Sequence, residues 1–108
     1  MIKWLLKLLG ISSESIDFKA LINEGAVIID VRSPQEFQSG HVRKSKNIPL
    51  NELDMKYKTL KKNQPIITCC ASGMRSGSAV SFLKSKGFTK VYNGGGWMTL
   101  NGRIKNED

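Results

Sequence analysis

The 108-residue chain holds only two cysteines and one histidine, and each scarcity excludes something. Two cysteines cannot staple a secreted disulfide scaffold. They are also neighbours, Cys69 and Cys70, with Cα atoms one peptide unit apart, closer than a disulfide prefers. Both therefore read as thiols in a reducing compartment, which points to the cytoplasm. With His41 the sole histidine and no C-x-x-C pair, no ligand set for a structural zinc is present. There is no internal repeat and no tract of biased composition. No apolar run is long enough to span a bilayer. The longest, at MIKWLLKLLG (1–10), is broken by Lys7 and lacks the uninterrupted core and small-residue cleavage site of a signal peptide. The two densest basic clusters, HVRKSK (41–46) and KYKTLKK (56–62), do not interleave aromatics in the manner of a single-strand nucleic-acid groove. No nucleic-acid partner is expected.

What remains suits one domain with one core. A net charge of +8 favours anionic partners, although the lysines are scattered. Residues 1–14 read as an N-terminal amphipathic segment, with Ile2, Leu5 and Leu9 on one helical face, packed on the domain. Contact of Met1 to Leu9 with a membrane surface is the less favoured reading, because two turns of helix bury little. The domain is expected over 15–104, followed by a tail over 105–108.

Strands and helices alternate along that domain. SIDFKALINEG predicts a helix capped by Asp17, stapled by Ile16 and Leu21, and ended by Gly25. AVIID (26–30) and PIITCC (65–70) are short continuous apolar runs, the pattern of strands buried on both faces. SPQEF (33–37) carries its own start signal: Ser33 at the cap, Pro34 at the first position and Glu36 three residues on. KNIPL (46–50) predicts a brief edge strand, NELDMKYKTL (51–60) an amphipathic helix, SGSAVSFLKSK (76–86) a helix closed by Gly87, and KVYN (90–93) a last strand. GGGW (94–97) reads as a turn before a short helix. Such alternation predicts an α/β fold, a central mainly parallel sheet with helices on both faces. In such sheets ligands bind at the carboxyl ends of the strands, where the two cysteines lie.

A tight passage follows those cysteines. Ala71, Ser72, Gly73, Met74 and Arg75 lead into a helix expected near Ser76. A chain that loops sharply from strand to helix turns several backbone N–H groups toward one point, and the helix dipole strengthens the resulting anion cradle. A thiol at such a mouth has its pKa lowered from ~8.5 to roughly 3.5–7.5, and its thiolate is the nucleophile. Arg75 offers a planar donor fork for an oxyanion. Strand alternation sends one cysteine into the cradle and its neighbour into a core layer. Which one is left open by spacing: Cys69 to Arg75 gives C-x-x-x-x-x-R, the spacing of cysteine-dependent phosphatases, and Cys70 gives a loop one residue shorter.

Four segments, in order, resemble the rhodanese family of sulfurtransferases. DVRSPQEFQSGHV (30–42) is similar to the family's D-V-R, E-F and G-H-V; NIPL (47–50) follows; CASGMRS (70–76) matches C-x-x-G-x-R-S; GFTKVYNGGGW (87–97) resembles its usual ending. The resemblance implies that Cys70 is the nucleophile and that the loop Ala71, Ser72, Gly73, Met74, Arg75 and Ser76 binds substrate. It implies a thiosulfate sulfurtransferase, carrying sulfur as a Cys70 persulfide from a small anionic donor to a thiol, an acceptor protein or cyanide. No metal or organic cofactor is implied. Other functions kept in view are a non-catalytic binding or regulatory module of the same fold and a phosphatase or arsenate-reductase-like enzyme using Cys69. Asp30 with Arg32, Glu36 and His41 are expected to serve structure, as a charged pair, a cap and a hydrogen-bonding side chain. Met74, at the loop's tip, is expected to shape which acceptor fits.

Overall fold

The computed structural model describes residues 16–105. The N-terminal amphipathic segment, its proposed membrane contact and the last three residues of the tail lie outside the described residues. Lys105 is the final residue of the last helix.

Four parallel strands form one sheet in the order β2-β1-β3-β4: β1 (Val27–Asp30), β2 (Lys46–Asn47), β3 (Ile66–Cys70) and β4 (Val91–Gly96). The α/β expectation holds. The helices are α1 (Phe18–Asn23) before the first strand, α2 (Pro34–Gln38), α3 (Leu53–Lys56) and α4 (Met74–Ser85) between strands, and α5 (Trp97–Lys105) after the last. The β1 and β3 backbones pair from Val27–Ile66 to Asp30–Cys69, so the carboxyl ends of the central strands are level.

Alternation along the strands sorts the core into two layers. Ile29, Ile66 and Cys70 face one side, where Ala79 and Leu83 of α4 cover them with Leu53 and Phe88. Ile28, Ile67 and Cys69 face the other, under Phe18 of α1 and Leu100 of α5. Both central strands are thus buried on two faces, as their unbroken apolar runs predict. Each fully buried Ile or Leu contributes about 1.5–3 kcal/mol relative to an exposed one, so these layers hold the strand ends, and the site they carry, in place.

Local signals act as expected at two helix starts. Asp17 Oδ1 accepts the Ala20 N–H at 3.0 Å and caps α1. Ser33 and Glu36 form a reciprocal capping box at α2, with Pro34 at the first position.

Three expectations are corrected. The stretch 51–60 is not one helix but α3 flanked by 3-10 turns at Leu50–Glu52 and Tyr57–Thr59. Its core-facing residues are Leu50, Leu53, Tyr57 and Leu60, spaced three, four and three. The tighter turns bring residues three apart onto one side, and the α-turn accommodates the spacing of four. Secondly, α4 begins at Met74, not near Ser76, because Gly73 takes a left-handed conformation (φ 103°) that turns the chain directly into the helix. Thirdly, Gly94–Gly96 belong to β4 and are not a turn. A Cβ on Gly94 would stand 2.8 Å from the Thr68 carbonyl oxygen, and one on Gly96 2.8 Å from that of Ala71. These glycines are there for close backbone approach to the end of β3.

Candidate active site

Cys70 ends β3, and its side chain tucks beneath the start of α4. The Gly73 N–H donates to Cys70 Sγ at 2.9 Å and the Ser76 N–H to the same sulfur at 3.4 Å. Ser76 Oγ lies 3.5 Å away. The geometry follows from the Gly73 turn: three residues after the cysteine, the chain reverses and aims the first amides of a 12-residue helix back at the strand end. Burial pushes the Cys70 thiol up, but the Ser76 hydroxyl and the amides of Ser76, Gly73 and Ser72 outweigh it and lower its pKa. The sulfur is fully covered, at 0% exposure, while Ala71 and Ser72 above it are exposed.

Cys69 is the opposite case. It points to the other face, packed with Phe18, Val42 and Leu100. Burial, then the Asp30 charge, push its thiol up to about 12. It is a neutral core residue at any physiological pH, and the cradle amides Gly73 and Ser76 serve its neighbour. The C-x-x-x-x-x-R spacing counted from Cys69 therefore does not describe a loop around that residue's sulfur.

Asn93, on β4, completes the cradle. Its side-chain Nδ2 donates to the Gly73 carbonyl at 3.2 Å, and its Oδ1 accepts from the Gly95 N–H at 2.9 Å and from Ser76 Oγ at 2.6 Å. Sequence reasoning overlooked it, since Asn93 reads there only as the last residue of the expected strand 90–93. Its partners on the loop are 17 and 20 positions away, beyond any local pattern.

Arg75 departs from expectation. Its fork does not stand open for an oxyanion: Nη1 donates to Glu36 Oε1 at 2.7 Å and Nη2 to Oε2 at 3.0 Å. Glu36 does more than cap α2, and the Arg75 guanidinium, then the Ser33 amide, hold its carboxyl down to about 2. The pair is partly exposed at the rim of the loop. Met74, 81% exposed, is the first residue of α4 and not the tip of a longer loop.

The remaining expected residues form a frame below the site. Arg32 is buried against Asp30, with Nε 2.9 Å from Oδ1 and Nη2 2.7 Å from Oδ2, and a further bond from Nη2 to the Gly40 carbonyl at 2.7 Å. Trp97 lies under the same guanidinium, its ring centroid 4.9 Å from the Arg32 carbon. His41 Nδ1 bonds the Phe37 carbonyl oxygen at 2.7 Å and stacks on the Phe37 ring. The Asp30–Arg32 charged pair and the hydrogen-bonding His41 stand where they were expected to serve structure. Of the basic cluster 41–46, Arg43, Lys44 and Lys46 line a hollow of 780 Å³ against the amino end of β1, away from the cysteines.

Comparison with known proteins agrees with this architecture. The chain is 38% identical over 81 residues to the uncharacterized protein YqhL of Bacillus subtilis, which covers 74% of this chain and 64% of that protein. It is 35% identical over 74 residues to the thiosulfate sulfurtransferase GlpE of Stutzerimonas stutzeri, covering 68% of each. A solved structure described as rhodanese with anions from E. coli superposes with a TM-score of 0.66 at 36% identity, covering 69% of this chain and 91% of that one. The chain thus spans somewhat under two thirds of YqhL and most of the shorter relatives. Residues 15–99 match the family described as rhodanese-like domain, and the chain belongs to that family.

Proposed function

We propose that the chain is a sulfurtransferase in which Cys70 carries sulfane sulfur as a persulfide. The observation that carries this reading is the convergence of the Gly73 and Ser76 amides on the Cys70 sulfur. Donors fixed around a sulfur favour its anionic form and then stabilise the anion of a sulfur chain built on it. The relatives named as thiosulfate sulfurtransferases and the anion-bound neighbour support the same chemistry.

The cycle is covalent catalysis in two halves. The Cys70 thiolate attacks the outer sulfur of thiosulfate; the new S–S bond forms as the donor's S–S bond breaks, and sulfite leaves with the electron pair. Charge balances, because one thiolate becomes one persulfide anion. An acceptor thiolate, or cyanide in the test tube, then attacks the terminal sulfur, and Cys70 departs as thiolate. Cys69 and Cys70 are free thiols, so the reading places the chain in a reducing compartment, the cytoplasm. Ala71, Ser72, Gly73, Met74, Arg75 and Ser76 form the substrate-binding rim. Since the Cys70 sulfur is fully covered, the exposed Ala71–Ser72 edge must part from it before attack.

Mass spectrometry after incubation with thiosulfate tests the proposal. One added sulfur is expected on wild type and on Cys69→Ser, and none on Cys70→Ser. Loading that survives in Cys70→Ser, or an aryl phosphate turned over in place of thiosulfate, refutes it.

A further inference from the structure

The Ser76 hydroxyl has one proton and three neighbours that could take it: Asn93 Oδ1 at 2.6 Å, the Gly73 carbonyl at 3.1 Å and Cys70 Sγ at 3.5 Å. The Asn93 amide cannot flip to relieve the competition. Its nitrogen is committed to the Gly73 carbonyl and its oxygen to the Gly95 N–H, and a flip would set acceptor against acceptor and donor against donor. The shortest contact is therefore Ser76 O–H donating to Asn93 Oδ1, which leaves a Ser76 lone pair toward the sulfur. That arrangement accepts a hydrogen bond from a Cys70 thiol. A Cys70 thiolate needs the reverse: the Ser76 proton must leave Asn93 and turn to the sulfur.

We propose that Asn93 is a positioning residue that competes with Cys70 for the Ser76 hydroxyl proton, so that the hydroxyl reports the state of the sulfur by switching partner. Asn93 touches no substrate and acts through Ser76. When the sulfur is protonated, the chain runs Cys70 S–H to Ser76 Oγ–H to Asn93 Oδ1. When it is ionised, Ser76 donates to the sulfur and Asn93 Oδ1 keeps only the Gly95 N–H. Among the described residues, the charged groups nearest this end of the sheet are Arg75 on α4, held by Glu36 of α2, and the Asp30–Arg32 pair at the end of β1, beside Cys69 on β3. None of them bonds to Asn93, so its replacement leaves them in place. The inference rests on the reading of Cys70 as the nucleophile.

The opposite role, a mere brace for the loop, predicts the opposite sign. Removing a brace lets the Gly73 and Ser76 amides drift and makes Cys70 harder to ionise. Removing a competitor frees the Ser76 proton and makes Cys70 easier to ionise. The test is a titration of thiolate absorbance in the ultraviolet on the full chain, with Cys70→Ser as the blank. Asn93→Ala is expected to move the midpoint to lower pH by about one unit, the size of one hydrogen bond to a charged group. In a Ser76→Ala background the same substitution is expected to move it no further down. Asn93→Leu, of similar size and without an acceptor, replaces the alanine variant if that fails to fold, as judged by circular dichroism. An upward shift, no shift, or a downward shift that persists without Ser76 overturns the proposal. Absorbance reads the sulfur whether or not the chain moves sulfur, so a failed persulfide loading with the expected titration would sink only the functional reading.

Discussion

Arg75 and Glu36, 39 positions apart, meet fork to fork at the edge of the cradle, with contacts of 2.7 and 3.0 Å. A charge that could attract a donor anion is thereby shared with a carboxylate of the chain itself. Glu36→Gln is expected to release the guanidinium and lower KM for thiosulfate about three- to tenfold, since charge-assisted bonds to Arg are roughly twice as strong as neutral ones. Steady-state assays with thiosulfate decide it, and an unchanged or higher KM contradicts it.

Acid should release the same clamp. The Glu36 carboxyl is held at about 2, below the ordinary ~4.3. A depressed carboxyl contributes stability that is fully present above about 4.3 and is lost as pH falls through about 2. Because the pair is partly exposed, salt screens it and the contribution is small. Wild type and Glu36→Gln should therefore converge in melting temperature as pH falls through that window, as acid titration followed by circular dichroism would show.

For Cys70 the sign is the same and the range is higher. Its pKa is lowered, so the thiolate favours the fold above the unfolded thiol's ~8.5, and that contribution fades as pH falls through the lower folded value. Sulfur loading from thiosulfate should follow the thiolate, with a midpoint below the ordinary thiol's ~8.5 and a fall on the acid side of it. Ser76→Ala removes all three contacts of the Ser76 hydroxyl, the one to Cys70 Sγ among them, and should move the fall to higher pH. A loading profile that rises only above pH 8.5 would show the sulfur to be an ordinary thiol.

Gly96→Ala places a methyl 2.8 Å from the Ala71 carbonyl oxygen, where backbone and not a flexible side chain must yield. The loop over Cys70 is expected to shift, with kcat/KM falling at least about tenfold, in keeping with the sensitivity of reacting groups to displacements near 1 Å. Equal activity in this variant would mean that the loop moves without cost.

Arg32→Ala leaves Asp30 buried without its cation. Loss of about 3–5 kcal/mol of stability is expected, as for broken buried pairs. Denaturant unfolding measures it, and a loss below 1 kcal/mol would show that water replaces the guanidinium.

The legible parts of this chain were those set by neighbours in sequence. Apolar runs marked β1 and β3, and Ser33 with Glu36 marked the start of α2. Strand alternation assigned the two cysteines to opposite faces once one of them was placed. What escaped was set by contact across the sheet. Nothing near Glu36 signals that its carboxylate crosses to Arg75. Nothing near Asn93 signals that a strand residue orders a loop on its neighbour, and three glycines in a row resemble a turn until the end of β3 is laid against them. The residues that tune the sulfur lie on different elements, and only the folded register brings them together.

The opposed directions of Cys69 and Cys70 also govern what happens under oxidation. A resolving thiol has to reach the oxidised sulfur on its own side of the sheet, and Cys69 faces away into the layer under Phe18 and Leu100. Within these 108 residues there is no other thiol. A sulfur placed on Cys70, or a sulfenic acid formed there by peroxide, therefore meets no second thiol of this chain on its own side of the sheet, and any thiol that takes it must come from a second molecule.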